Sequence, residues 1–194
     1  MTMQGIAAKR AQLRRQALAR RARLATELGA EAAARLAEHG MALLRAMPEA
    51  VVAGYVPVRG EIDVMPLLRA LHAAGHTLAL PVVARRDAPL VFRQWRPGVA
   101  LEKGAFGIPV PPADAPELRP DVVLAPLAAF DARGHRLGYG GGYYDRTLAS
   151  LRAQAPVLAA GCAYAGQEVP RIPHLPTDEP LDIILTERDI RRRS

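Results

Sequence analysis

Cysteine is nearly absent. Cys162 is the single one in 194 residues, so neither an internal disulfide nor a cysteine zinc cage can form, and a reducing cytoplasm is the expected compartment. Aromatic residues make up 5% of the chain, which leaves Ala, Leu and Val to build the core and makes any tyrosine cluster stand out. No run of about eighteen apolar residues occurs, and no apolar signal core follows the basic start, which argues against a spanning helix or a secretory signal. Acidic residues are missing from the first stretch: Lys9, Arg10, Arg14, Arg15, Arg20, Arg21 and Arg23 all precede Glu27 and together match the net charge of +7. The rest of the chain is balanced, so the question of an acidic partner concerns one segment.

What is present reads as one domain over 1–194, half apolar and large enough to fold around a single core. Residues 6–28 have helical composition with no interior Pro or Gly; Leu13, Ala17, Leu24 and Leu28 share one face. Arg10, Arg14 and Arg21 share a stripe, either a solvated basic face or one laid against an anion. Gly29 is expected to separate this helix from a second one running to about residue 45. "VVAGYV" (51–56) reads as a buried strand, and Asp63 as the N-cap of a helix to about residue 74. "HTLALPVV" and "PLVFRQW" read as strands, followed by a proline- and glycine-rich connector over 96–120. "DVVLAP", "PVLAAGCAY" and "LDIILT" complete the strands, the last taken as final, with a helix ending near residue 154 between the first two. Strands alternating with helices predict an α/β fold: a three-layer sandwich, a largely parallel central sheet with helices on both faces, and ligands at the strand carboxyl ends.

The densest stretch is "RLGYGGGYYDRTL" from Arg136. It holds Gly138, Gly140, Gly141 and Gly142, the tyrosines Tyr139, Tyr143 and Tyr144, then Asp145 and Arg146. Glycines where a strand feeds a helix suit an anion, because unpaired amides and the positive end of the helix dipole face the loop. The loop lacks the lysine and hydroxyl of a P-loop and the spacing of a dinucleotide fingerprint.

This combination resembles the 5-formyltetrahydrofolate cyclo-ligase family, also called methenyltetrahydrofolate synthetases. Their signature is a strand ending in proline, "FD", a short turn and R-[LF]-G-x-G-x-G-[YF]-Y-D, which appears here as "APLAAFDARGHRLGYGGGYYDR". The likeness extends to "LRRQ", "GEID", "KGAFGIPVP" and "PTDEPLDIILTE". It implies an ATP- and magnesium-dependent ring closure of 5-formyltetrahydrofolate to 5,10-methenyltetrahydrofolate, through a phosphorylated formyl group, in one-carbon metabolism. No covalent nucleophile is expected of the protein.

Carried over by resemblance, the ATP contacts are Arg136, Leu137, Gly138, Tyr139, Gly140, Gly141, Gly142, Tyr143 and Tyr144, with Arg14 from the first helix; Arg10 stands at the family's lysine position and Lys9 is one residue away. Many relatives carry a lysine where this chain has Gly141. For magnesium the candidates are Asp145 and Asp178, with Asp182 competing for the second place. For folate they are Glu61, whose carboxylate would accept pterin N–H groups, and Val56, Tyr139, Tyr143 and Trp95 as flat walls, Trp95 having a core role as its alternative. His135 and His174 are left unassigned. The partners expected are the folate and ATP alone, without nucleic acid or membrane, the chain acting as a monomer or weak dimer. A basic nucleic-acid-binding domain and a sugar-phosphate enzyme are the competing classes.

Overall fold

The structure, a computed structural model, describes residues 3–193. Helix α1 (Met3–Leu44) is one long run whose backbone leaves helical geometry only at Gly29 (φ 36°, ψ −120°), so two helical segments meet there as the sequence suggested. Then follow β1 (Val51–Ala53), α2 (Met65–Ala73), β2 (Thr77–Val82), β3 (Val91–Trp95), β4 (Glu102–Lys103), β5 (Pro109–Val110) and β6 (Val122–Pro126). A short ribbon of β7 (Ala129–Phe130) and β8 (Arg136–Leu137) leads to α3 (Tyr143–Gln154), β9 (Leu158–Cys162), β10 (Ile183–Leu185) and β11 (Ile190–Arg192).

Seven strands form the central sheet in the order β11-β10-β9-β6-β1-β2-β3. The inner five are mutually parallel, and β3 and β11 close the edges antiparallel. Strand parity sorts the core into two layers. Val52, Leu78, Leu80, Val122, Leu124 and Leu185 face Leu36 and Leu44 of α1 and Leu67, Leu68 and Leu71 of α2. Their neighbours Ala53, Ala79, Val123, Ala125 and Ala159 face Leu148 and Leu151 of α3. The second face is mostly alanine, which lets a single helix lie close to the sheet. The three-layer α/β sandwich expected from the sequence is the one observed.

Four details differ from the sequence reading. Strand β1 ends at Ala53 rather than continuing to residue 56, because Pro57 has no N–H to extend a ladder, and Tyr55 and Val56 turn instead into a cleft. Asp63 stands one residue outside the cap of α2. Its carboxylate accepts the Met65 N–H (2.8 Å), while the cap itself is Val64, wholly buried, with Pro66 in the first turn. The connector is structured: β4 and β5 pair as a hairpin, and residues 116–118 run along β3 through Gln94 N–H to Pro116 O and Leu118 N–H to Phe92 O, both 2.8 Å. Finally, β10 is not the last strand, for β11 pairs with it along the sheet edge.

Candidate functional site

In chain order the sheet grows from β1 outward to β2 and then resumes at β6 on the other side of β1. At such a switch point the loops leaving the two central strands diverge and open a crevice. A cavity of about 670 Å³ lies there, bounded by Tyr55 and Val56 after β1, Val83 after β2 and Pro126 at the end of β6. Its size is that of a small-molecule site.

One end is basic. The first half of α1 docks beside the glycine loop, Ala17 packing with Ala128, Ala129, Leu137 and Ile172. This brings its arginines inward. Arg14 Nε–H donates to Gly138 O (2.7 Å), and Arg10 pairs with Asp178 while donating to Pro173 O (2.9 Å). Burial first, and the Arg10 charge second, lower the pKa of Arg14. The loop turns through Gly140 (φ 100°) and Gly142 (φ 65°), conformations that favour glycine, and no side chain caps α3. The first amides of that helix therefore have no cap of their own.

Behind the loop, Arg136 is buried and engaged: it donates to Asp145 Oδ1 (2.8 Å) and to Glu179 O (2.7 Å). Burial lowers its pKa, opposed by Asp145 and Asp178. Asp145 Oδ1 also accepts the Glu179 N–H (3.1 Å), and no hydrogen bond among the described residues occupies its Oδ2. Asp178, which accepts the Leu175 N–H (2.9 Å), lines the cavity too, whereas Asp182 is committed to Arg152 (3.1 Å) and the Ala159 N–H (2.8 Å) outside it. Of the two competing aspartates, the cavity holds Asp178.

The other end is more apolar and has one carboxylate. Glu61 Oε2 accepts the Val58 N–H (2.9 Å) and Oε1 accepts the Tyr139 hydroxyl (2.7 Å). Burial raises the Glu61 pKa against the opposing pull of those two donors and of Arg21 and Arg59. The Tyr139 hydroxyl is itself pushed up to about 12, chiefly by burial and then by Glu61. Val56 and Tyr143 line the same space, and Tyr144 lies deeper, its pKa raised by burial. Three sequence candidates fall elsewhere. Trp95 is buried in the core with its Nε1–H on Val99 O (3.3 Å), Leu137 is fully buried beneath the ribbon, and Lys9 is exposed on α1 and does not line the cavity.

The sequence placed Arg21 only on a stripe, either solvated or laid against an anion, and did not single out Phe106. Arg21 is 1% exposed and donates to Leu127 O (3.1 Å), Arg59 O (2.9 Å) and the Tyr139 hydroxyl (2.5 Å), 3.9 Å from Glu61. Its place on the stripe with Arg10 and Arg14 was the available signal. Phe106, at the tip of the β4–β5 hairpin, is 70% exposed with φ 57° and meets Tyr143 edge-on at 6.2 Å. The "KGAFGIPVP" segment pointed to it without saying that it overhangs the cleft.

Magnesium can be tested against these donors. Among the described residues no group of three or more His, Cys, Asp or Glu could hold a metal. Asp145 and Asp178 are the carboxylates at this end of the cavity, each paired with an arginine, and only Asp145 has an oxygen outside those hydrogen bonds; an ion there would need its other ligands from phosphate and water. His135 and His174 stack on each other (4.0 Å) and do not line the cavity.

A doubly wound α/β sheet with a glycine loop flanked by arginines at one end of a switch-point cleft and a buried carboxylate at the other has the architecture of a small-molecule enzyme. The comparisons with known proteins make this particular. A sequence profile of the 5-formyltetrahydrofolate cyclo-ligase family matches residues 6–187. The chain belongs to that family. The Haemophilus influenzae 5-formyltetrahydrofolate cyclo-ligase is 31% identical over 182 residues, covering 91% of this chain and 97% of that protein. The Mycolicibacterium smegmatis 5-formyltetrahydrofolate cyclo-ligase is 39% identical over 145 residues, 71% of this chain and 73% of its own. The NMR structure of Aquifex aeolicus 5,10-methenyltetrahydrofolate synthetase superposes with a TM-score of 0.73 at 31% identity, covering 94% of this chain and 92% of that one.

Proposed function

We propose that the chain catalyses the ATP- and magnesium-dependent closure of 5-formyltetrahydrofolate to 5,10-methenyltetrahydrofolate, releasing ADP and phosphate. The observation that carries this reading is Tyr139. Its backbone belongs to the glycine loop and its hydroxyl binds Glu61, so the anion cradle and the carboxylate are one side chain apart. A phosphate donor in the first and a pterin on the second would meet.

In this reading the loop amides from Gly138 to Gly142 and the start of α3 receive the triphosphate, and Arg10 and Arg14 offset its charge. Glu61 accepts pterin N–H groups with the lone pairs that Val58 and Tyr139 leave over, and Val56, Tyr139 and Tyr143 supply flat walls. Asp145 and Asp178 hold magnesium, which neutralises phosphate charge when bound. The formyl oxygen attacks the γ-phosphorus as the bond to ADP breaks. The neighbouring secondary-amine nitrogen then attacks the formyl carbon and gives up its proton, the carbon–oxygen bond breaks, and phosphate departs with that oxygen and takes the proton. No protein nucleophile is required; the chain positions two substrates and excludes water.

Oxygen bookkeeping tests the sequence of bonds. With ¹⁸O in the formyl group, the inorganic phosphate released should carry the label. Unlabelled phosphate accompanying full conversion would exclude the phosphorylated formyl intermediate.

A further inference from the structure

Five arginines line the cavity: Arg10, Arg14, Arg59, Arg136 and Arg146. Arg10 is neutralised by Asp178 and Arg136 by Asp145. Arg14, Arg59 and Arg146 take part in none of the ion pairs among the described residues, and of these three only Arg146 belongs to the helix that the glycine loop feeds. Arg146 sits in the first turn of α3, where the helix dipole disfavours a cation. Its side chain nevertheless folds back over the loop. Nη2–H donates to Gly141 O (2.6 Å), Cζ lies 5.2 Å from the centre of the Tyr143 ring, and Nη1 would stand 2.7 Å from a β-carbon on Gly142. Its Nε is buried without a hydrogen-bond partner.

A guanidinium held against an unfavourable field, at the lip of an anion cradle and without a carboxylate, calls for an anionic ligand as its counter-charge. The loop itself has no cationic side chain between Leu137 and Tyr143. At Gly141 the direction a side chain would take is filled by the Tyr143 ring, 3.0 Å from an ideal β-carbon. The same ring carries the Arg146 guanidinium, so Tyr143 both keeps the loop bare and presents the cation that serves it.

We propose that Arg146 is the loop cation of this site, gripping the terminal phosphate of ATP and stabilising the charge that develops there as the phosphoryl group transfers. The assignment rests on the reading of this cleft as an ATP site and adds a residue to it.

The test uses the full chain and four proteins: wild type, Arg146→Ala, Arg146→Lys, and Arg146→Ala combined with Gly141→Lys. The last moves the charge into the loop: the backbone of Gly141 has no positive φ, and a side chain there requires the Tyr143 ring, 3.0 Å from the β-carbon, to shift aside. Arg146→Ala should lose about 100-fold in kcat/KM for ATP, the scale for removing one preorganised donor from a charged transition state. Folate affinity, measured by direct binding, and the thermal midpoint should hold. Arg146→Lys should keep part of the activity, and the double variant should recover about tenfold over Arg146→Ala, the scale of one charged hydrogen bond regained. Wild-type ATP kinetics in Arg146→Ala, or a loss shared equally by folate affinity and thermal midpoint, would overturn the assignment. A wild-type protein that binds no Mg-ATP analogue by calorimetry would instead overturn the reading of the cleft beneath it.

Discussion

Glu61 occupies the cleft at the expense of the fold. Burial raises its pKa, and the Val58 N–H, the Tyr139 hydroxyl and two arginines offset only part of that. In the unfolded chain the same carboxyl ionises in the usual range, so folding carries a penalty that is absent below that range and complete above the raised folded value. Glu61→Gln loses one of the two acceptors that Val58 and Tyr139 use, so the effect of the charge is read from the pH dependence: wild type should lose stability relative to Glu61→Gln as the pH rises from the carboxylate range to 7. Paired thermal melts at pH 7 and near pH 4 check this; a difference between the two proteins that does not change with pH would contradict it. The same variant should weaken folate binding about ten- to a hundredfold, the scale of a hydrogen bond to a charged group. Glu61 and Tyr139 were legible in the sequence because their motifs are short and local. Their shared partner Arg21 was legible only as one of a stripe, since a helix stripe gives a direction and not a depth. A similar blind spot hid Asp131 of the "FD" pair. Burial would raise its pKa, but the Ile172 and His135 N–H groups and Arg133 hold it lowered, and it pins the turn between β7 and β8.

Among the elements, α1 has the most to do with the site. Its N-terminal half covers the β7–β8 ribbon through Ala17, which is nearly buried, and this docking carries Arg10 and Arg14 to the cleft and Arg21 to the Tyr139 hydroxyl behind it. Ala17→Asp would bury an unpaired carboxylate in that contact, costing about 2–4 kcal/mol unless the helix lifts. Either way KM for ATP should rise at least about tenfold, the equivalent of 1.4 kcal/mol, and amide exchange along α1 should accelerate. An unchanged KM would mean that the helix is not part of the nucleotide site. The sequence showed this helix, its break at Gly29 and the parallel core strands because each has a period or a punctuating residue. It did not show β11, whose Ile190, Arg191 and Arg192 look like a charged tail. That strand exists by pairing with β10, and Arg191 is held by Asp189 and Glu168. Nor did it show the β4–β5 hairpin, two residues to a strand, since its apolar tip Phe106 reads as an ordinary loop residue.

At the scale of the whole molecule, the switch in strand order between β1 and β6 makes the cleft, and the loops at that one edge of the sheet meet there with the arginines of α1 and the first turn of α3. Alternating strands and helices were enough to foresee the edge; the distance between Glu61 and the glycine loop was not, because it depends on how far β1 runs before Pro57 ends it. No helix among the described residues is long and apolar enough to cross a membrane. Cys162 is buried and its thiol pKa is raised by that burial, which fits a core residue with no redox duty. The two cavity aspartates lack the further ligands of a resident metal site, so a chelator should abolish turnover while leaving the thermal midpoint of the ligand-free protein unchanged. A midpoint that drops on chelation would reveal a structural metal. A non-hydrolysable Mg-ATP analogue at a hundred times its Kd should stabilise the fold by about 2.7 kcal/mol.

Ring closure itself is read most directly by mixing the protein with 5-formyltetrahydrofolate, ATP and magnesium and following the near-ultraviolet band of the methenyl product. The band should grow only when ATP and magnesium are both present, with ADP accumulating in step. Folded protein that yields no ATP-dependent band, or the same band without ATP, would contradict ATP-driven closure in this cleft.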